Sequence, residues 1–186
     1  EPTKTPEISE QFISELTQAQ NWIDFQNAVQ SKGQREPMLR PVELPIVEEI
    51  RNHLRGKILK QGYGKYVVIQ AHPGWGKTSN LGEALFPEDQ TKIDFLEDYT
   101  IWVGTLEEVQ SWVSNARNFE KSIVIIDDIH KYRESISNDD LHKQAMDIAS
   151  KVSALFVTCQ IDPMDGEIYD VNPEVSDHGS CHIIDV

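Results

Sequence analysis

The run Ala71-His72-Pro73-Gly74-Trp75-Gly76-Lys77-Thr78 has the residue types and spacing of a phosphate-binding loop, with Ala where the pattern usually opens on Gly. Gly74 and Gly76 let the backbone curl so that successive N–H groups point at a phosphate chain. Lys77 brings an ammonium to the β- and γ-phosphates, and Thr78 offers a hydroxyl to Mg2+. A helix that starts here aims its positive end at the same anion. The candidate nucleotide contacts are therefore His72, Pro73, Gly74, Trp75, Gly76, Lys77, Thr78 and Ser79, with Trp75 either covering the nucleotide or packing on a neighbouring loop.

A magnesium–phosphate site needs carboxylate oxygen as well, because a hard cation prefers oxygen ligands. The apolar run Ile123-Val124-Ile125-Ile126 ends on Asp127-Asp128. Asp127 is the expected partner of Mg2+, through water, beside Thr78. Asp128 is placed to orient or deprotonate an attacking water, which makes it, with Lys77, the candidate catalytic pair. The expected cofactors are ATP or ADP, or dATP, with Mg2+.

The elements that must carry these residues are legible as alternating patterns. Continuous apolar strands are predicted at Tyr66–Gln70, Tyr99–Val103, Ser122–Ile126, Ala154–Thr158 and Cys181–Val186. Helical spacing falls between them, at Ser79–Phe86, Leu106–Ala116 and Leu141–Val152. This predicts an α/β fold: a P-loop three-layer sandwich with a five-stranded, mainly parallel sheet covered on both faces. A helix starting near Pro45 precedes the first strand, with Ile46, Ile50 and Leu54 inward and Gly56 as its stop. Further upstream, Ile8, Phe12, Leu16, Ala19 and Ile23 recur at helical spacing, with Trp22, Phe25 and Val29 along the edge and Gly33 at the end. The predicted organisation is an N-terminal helical segment, 1–35, followed by a nucleotide-binding domain, 36–186.

Composition narrows the partners. Among 186 residues, 31 are acidic and 17 basic, giving a net charge of −14. Such a surface repels phosphate backbones, so no nucleic-acid partner is expected. No window is apolar enough to span a bilayer. Two cysteines, Cys159 and Cys181, cannot form a disulfide framework, and a reducing, cytoplasmic setting is the default. The chain reads as a piece of a longer protein.

With loop and aspartates in hand, the chain resembles the NB-ARC branch of the STAND signalling ATPases, which are AAA+-related and include apoptosome scaffolds and plant disease-resistance proteins. Leu39-Arg40-Pro41-Val42-Glu43-Leu44 is similar to the arginine-containing approach near the adenine, which adds Arg40 and Pro41 to the candidate contacts. Val68–Thr78 is similar to the phosphate loop, Ile123–Ile129 to the strand ending in two aspartates, and Leu155–Gln160 to the sensor strand. The resemblance implies a sheet in which the sensor strand lies between the phosphate-loop strand and the Asp-Asp strand. It also implies a nucleotide switch within an apoptosis-like signalling or assembly scaffold, partnered by other domains of a longer chain and by copies of itself. The family's sensor strand ends Thr-Thr-Arg, whereas this one ends Thr158-Cys159-Gln160, so weak ATPase activity at most is expected.

Two other classes compete. A motor ATPase of AAA+ or helicase type would need an arginine finger, for which Arg117 and Arg133 are the candidates, and a basic channel that the net charge disfavours. A small-molecule kinase would need an arginine-rich lid, and none is evident.

Overall fold

The computed structural model describes residues 16–33, 44–55, 65–71, 76–87, 92–115, 121–160 and 181–185. Strand β1 (Thr17–Ala19) leads into helix α1 (Trp22–Gly33), and α2 (Leu44–His53) precedes β2 (Lys65–Ala71). The chain then runs through α3 (Lys77–Leu85), β3 (Thr100–Val103), α4 (Leu106–Asn115) and β4 (Ser122–Ile126). A 3-10 turn (Ile129–Glu134), α5 (Asn138–Ala149), β5 (Ala154–Gln160) and β6 (Cys181–Asp185) complete it.

These strands form one sheet in the order β1-β3-β4-β5-β2-β6. The β3/β4, β4/β5, β5/β2 and β2/β6 pairs are parallel, and β1 adds an antiparallel edge. The predicted five-stranded parallel sheet is present, and β5 lies between β2 and β4 as the resemblance implied. Strands β2 and β4 are buried on both faces, which is why they read as unbroken apolar runs.

The three-layer sandwich is visible in how side chains divide. On one face Val67 and Ile69 of β2 and Ile123 and Ile125 of β4 meet α1, α2 and α3 through Phe25, Val29, Ile50, Leu54, Leu81 and Leu85. On the other, Tyr66 and Val68 of β2 and Val124 and Ile126 of β4 meet α4 and α5 through Val109, Trp112, Leu141 and Ile148. Strand period sends alternate residues to opposite layers, so each strand feeds both cores.

The upstream region departs from the sequence expectation. The helical spacing from Ile8 to Ile23 is not one helix: Thr17–Ala19 pairs with Ile101–Val103 as a strand, and α1 begins only at Trp22. Ile8 and Phe12 lie outside the described residues. With the helix starting there, Trp22, Phe25 and Val29 turn inward, while Ile23, expected on the apolar face, is 61% exposed. Two local preferences gave way to sheet pairing and to the aromatic contacts that α1 makes with α3.

Those contacts turn on Gly82 of α3. A Cβ there would overlap the Trp22 ring and lie 2.7 Å from Cε1 of Phe25. Phe25 in turn stacks obliquely on Phe86, with ring centroids 5.9 Å apart. Helix propensity alone favours Ala over Gly by about 1 kcal/mol. Forcing two packed rings apart costs about 1–3 kcal/mol, so the overlap decides the sign. Gly82→Ala is expected to lower the melting temperature by a few degrees, at roughly 2–4 °C per kcal/mol for a domain of this size. An unchanged or higher melting temperature would show that α1 does not rest on α3 in solution.

Candidate functional site

Strand β2 ends at Ala71, and α3 begins at Lys77 on the far side of the loop. Gly76, at the helix N-cap, has φ 83° and ψ 24°, a left-handed conformation that glycine adopts without steric cost. Its carbonyl accepts from the Asn80 backbone N–H at 2.9 Å and from Asn80 Nδ2 at 2.7 Å. Asn80 thus fixes the entry angle of the helix from inside its first turn. The sequence reading passed over it, and its only signal was a polar residue one turn after the Gly-Lys-Thr.

Lys77, Thr78 and Ser79 are all buried in this first turn, and α3 starts two residues earlier than predicted. His72, Pro73, Gly74 and Trp75 lie outside the described residues, as do Arg40 and Pro41, so those expected nucleotide contacts have no place in the geometry below.

The parallel register brings the rest together. Ile126 of β4 sits opposite Val157 of β5, so Asp127 emerges beside Thr158 at the carboxyl ends of the strands. Thr78 Oγ1 donates to Asp127 Oδ1 at 2.8 Å, and Thr158 Oγ1 donates to the same oxygen at 2.5 Å. The Thr158 hydroxyl oxygen accepts the Asp128 backbone N–H at 2.7 Å. One hydroxyl is therefore both donor and acceptor, and it locks both aspartates to β5. Asp127 is 4% exposed, so its charge depends on these donors.

Asp128 departs from ordinary backbone geometry. Its φ of 54° and ψ of 54° are left-handed, a region that Asp enters more readily than most residues but still at a cost. That turn aims its carboxylate toward Lys77, with Oδ1 3.3 Å from Nζ. The side chains are 8% and 17% exposed, so the pair is screened little by solvent. The separation exceeds the roughly 2.7–2.9 Å of an aligned charge-assisted hydrogen bond, and an ion pair describes it better.

His130, in the 3-10 turn, completes the cluster and was missed by the sequence reading. Its Nδ1 accepts the Gln160 backbone N–H at 3.1 Å, which assigns the neutral ring's proton to Nε2. The histidine titrates below its ordinary value: burial is the largest cause, and the Lys77 charge adds to it against the opposing pull of Asp128. Two residues on, the Tyr132 hydroxyl accepts the Leu106 N–H at 2.9 Å and caps the start of α4. The turn thus ties the ends of β4 and β5 to a helix on the opposite face from α3.

This arrangement fits a magnesium–phosphate group. Thr78 and Asp127 are hard oxygen donors held together, Lys77 is a buried cation at a helix N-terminus, and Gly76 keeps the approach free of a Cβ. Among the described residues, no cluster of three or more His, Cys, Asp and Glu side chains forms an alternative metal site. Cys159 is buried, with its Sγ 3.7 Å from the Gln160 carbonyl oxygen.

Sheet order, crossover helices and a helix beginning at Gly76-Lys77 directly after β2 define the P-loop NTPase class of fold. No protein-family profile matches the chain, and no curated protein matches it. Similar solved structures include the following two. One is the structure of C. elegans PCH-2, with a TM-score of 0.39 and 12% identity over 76% of this chain and 38% of that one. The other, on the structural basis for katanin self-assembly, has a TM-score of 0.42 and 17% identity over 96% and 59%. The chain spans less than two thirds of either. No described helix is long and apolar enough to cross a membrane.

Two outcomes follow from the hydroxyl and the ring. Thr158→Val leaves a buried carboxylate and a backbone N–H short of a partner and should cost about 1–3 kcal/mol, while Thr158→Ser should recover most of it. Urea unfolding of the three proteins at equal m-values measures this, and equal stability of wild type and the valine variant would remove the bridging role.

For His130, the unfolded chain takes up a proton near pH 6.5 while the folded chain resists it. Its contribution is complete above about pH 6.5 and is lost as pH falls toward the depressed native value. Stability should therefore decline between neutral and mildly acid pH, with a shallower slope in His130→Gln. Parallel slopes would show that another group dominates.

Proposed function

We propose that this chain is an ATP- or ADP-binding switch module, of the kind found in NB-ARC-like signalling or assembly scaffolds. In this reading, nucleotide occupancy biases how neighbouring domains pack and whether copies assemble. The observation that carries it is the meeting of Lys77 and Thr78, at the start of α3, with Asp128 and Asp127, at the end of β4. A buried cation, a hydroxyl and two carboxylates at a helix N-terminus beside a glycine turn are what a magnesium nucleotide requires.

Each residue has a role in that reading. Lys77 and the first N–H groups of α3 hold the phosphates, while Thr78 and the water-linked Asp127 hold Mg2+. When bound, the cation neutralises phosphate charge. Asp128 is the group that orients or accepts a proton from water. Arg40, Pro41 and the loop His72–Trp75, with Gly76 and Ser79, remain the proposed nucleotide contacts. The proposed nucleotide-binding module is 36–186, preceded by 1–35, whose β1 and α1 join its sheet and core, and a cytoplasmic setting accords with its cysteine usage.

Turnover is expected to be slow. Gln160 stands at the end of β5 where the resembled family has arginine, so the cation that commonly accelerates phosphoryl transfer by about 10³–10⁵-fold is missing there. Arg117 and the side chain of Arg133, the alternative fingers, are not among the described groups. The net charge of −14 opposes a nucleic-acid channel.

Calorimetric titration with ADP and ATP in Mg2+ tests the reading. Lys77→Ala should weaken binding roughly tenfold to a hundredfold, since a charged hydrogen bond of this kind contributes about 1.5–3 kcal/mol. Phosphate release should take minutes per turnover or longer, with no stimulation by DNA or RNA, near the intrinsic rates of unassisted phosphate-loop proteins. Unchanged affinity in the variant would refute nucleotide binding at this site. Turnover of several per second, or strong stimulation by nucleic acid, would replace the switch with a motor ATPase.

A further inference from the structure

We infer that Asp128 is a resident anion on Lys77, which makes the site select a magnesium–nucleotide complex over metal-free nucleotide or lone phosphate. The inference rests on the nucleotide reading above and concerns how that same site discriminates among anions.

The lysine that would meet the phosphates is already engaged, with its Nζ 3.3 Å from Asp128 Oδ1. This contact is not an accident of a long side chain drifting over the surface. Asp128 is held from three directions: its N–H is donated to Thr158 Oγ1 at 2.7 Å, its carbonyl accepts the Lys131 N–H at 3.2 Å, and its backbone is turned left-handed. Lys77 is fixed as the first residue of α3. Both partners are therefore positioned by backbone, and both are largely shielded from solvent.

Charge accounting gives the consequence. Among the described side chains, the shielded part of the cluster holds the cation Lys77 and the carboxylates Asp127 and Asp128. Lys131, the other cation that acts on His130, is exposed and lies over the Tyr132 ring, and His130 is held toward its neutral form. Over those shielded, described side chains the formal balance is one negative charge, so a free polyphosphate meets repulsion there and must also displace Asp128 from Lys77. A divalent cation reverses that balance. Nucleotide arriving with Mg2+ meets a net positive site, and the phosphate then exchanges for the carboxylate on Lys77. The exchange also frees the Asp128 carboxylate, so the group proposed to act on water is released only when a phosphate has taken its place.

The separating variant is Asp128→Asn, because Asn tolerates the left-handed backbone as Asp does and keeps the N–H bonded to Thr158. Two measurements are made on the chain and on this variant. The first is the rate at which an amine-reactive ester labels Lys77, read by peptide mass spectrometry without any nucleotide. The second is ADP affinity by calorimetry, in excess EDTA and again in Mg2+.

Asp128→Asn should label faster at Lys77 and bind metal-free ADP roughly tenfold to a hundredfold more tightly, with a much smaller gain in Mg2+. In the double variant with Lys77→Ala, the gain in EDTA should vanish. Unchanged labelling at Lys77 would overturn the inference, because the carboxylate would then not be holding the amine. Mg2+-dependent ADP binding with equal or weaker metal-free affinity in Asp128→Asn would overturn it while leaving the nucleotide reading intact. Faster labelling with no ADP binding by either protein, in Mg2+ or EDTA, would overturn the nucleotide reading and this inference with it.

Discussion

A carboxylate removed from water is costly unless donors meet its charge, and Asp127 is such a carboxylate, set at the end of the most apolar strand in the molecule. Its donors come from two different elements, Thr78 at the start of α3 and Thr158 near the end of β5. Satisfying one buried charge therefore fixes the mutual position of three secondary-structure elements. The rest of the site is built outward from that junction: Lys77 beside Thr78, Asp128 beside Asp127, and Gln160 and His130 bonded across the same end of the sheet.

The sheet makes the junction possible. Parallel strands joined by crossover helices place all their carboxyl ends on one side, so residues far apart in sequence converge there without any loop having to reach. Placing β5 between β2 and β4 sets Thr158 between the start of α3 and the paired aspartates. The two apolar layers contribute by holding strand ends at fixed height, since interior packing leaves little freedom for sliding.

The strands and the Gly-Lys-Thr were legible because each depends on its own residues: a strand buried on both faces is a run such as Ile123–Ile126, and a phosphate loop needs Gly at fixed places. The four residues Lys77, Thr78, Asp127 and Asp128 were legible for the same reason. Thr158, Asn80 and His130 were not read as site residues, because their importance comes from register and turn geometry. Nothing in the spacing of His130 announces that its ring meets the Gln160 backbone. The upstream misreading has the opposite cause. Leu16, Ala19 and Ile23 do follow helical spacing, but Leu16 joins one core layer and Ala19 the other, as residues at a sheet edge do. Local periodicity described a helix that tertiary pairing divided.

Strand β2, which delivers the chain to Gly76 and α3, is hydrogen-bonded on one side to β5 and on the other to β6, both made much later in the chain. During synthesis it emerges with neither neighbour, carrying Tyr66-Val67-Val68-Ile69 and two open edges. The loop and its helix cannot be held in place by the sheet until Ala154–Gln160 has been made, and the sheet cannot close around β2 until Cys181–Asp185 follows. Long-range parallel pairing of this kind is a slow step in folding. The nascent chain therefore passes through an interval in which its most apolar strands are exposed and the buried charge of Asp127 still lacks Thr158, one of its two hydroxyl donors. For this molecule the ribosome's progress past β5, which brings Thr158 to Asp127, is the event that completes the junction, more than the formation of any local element.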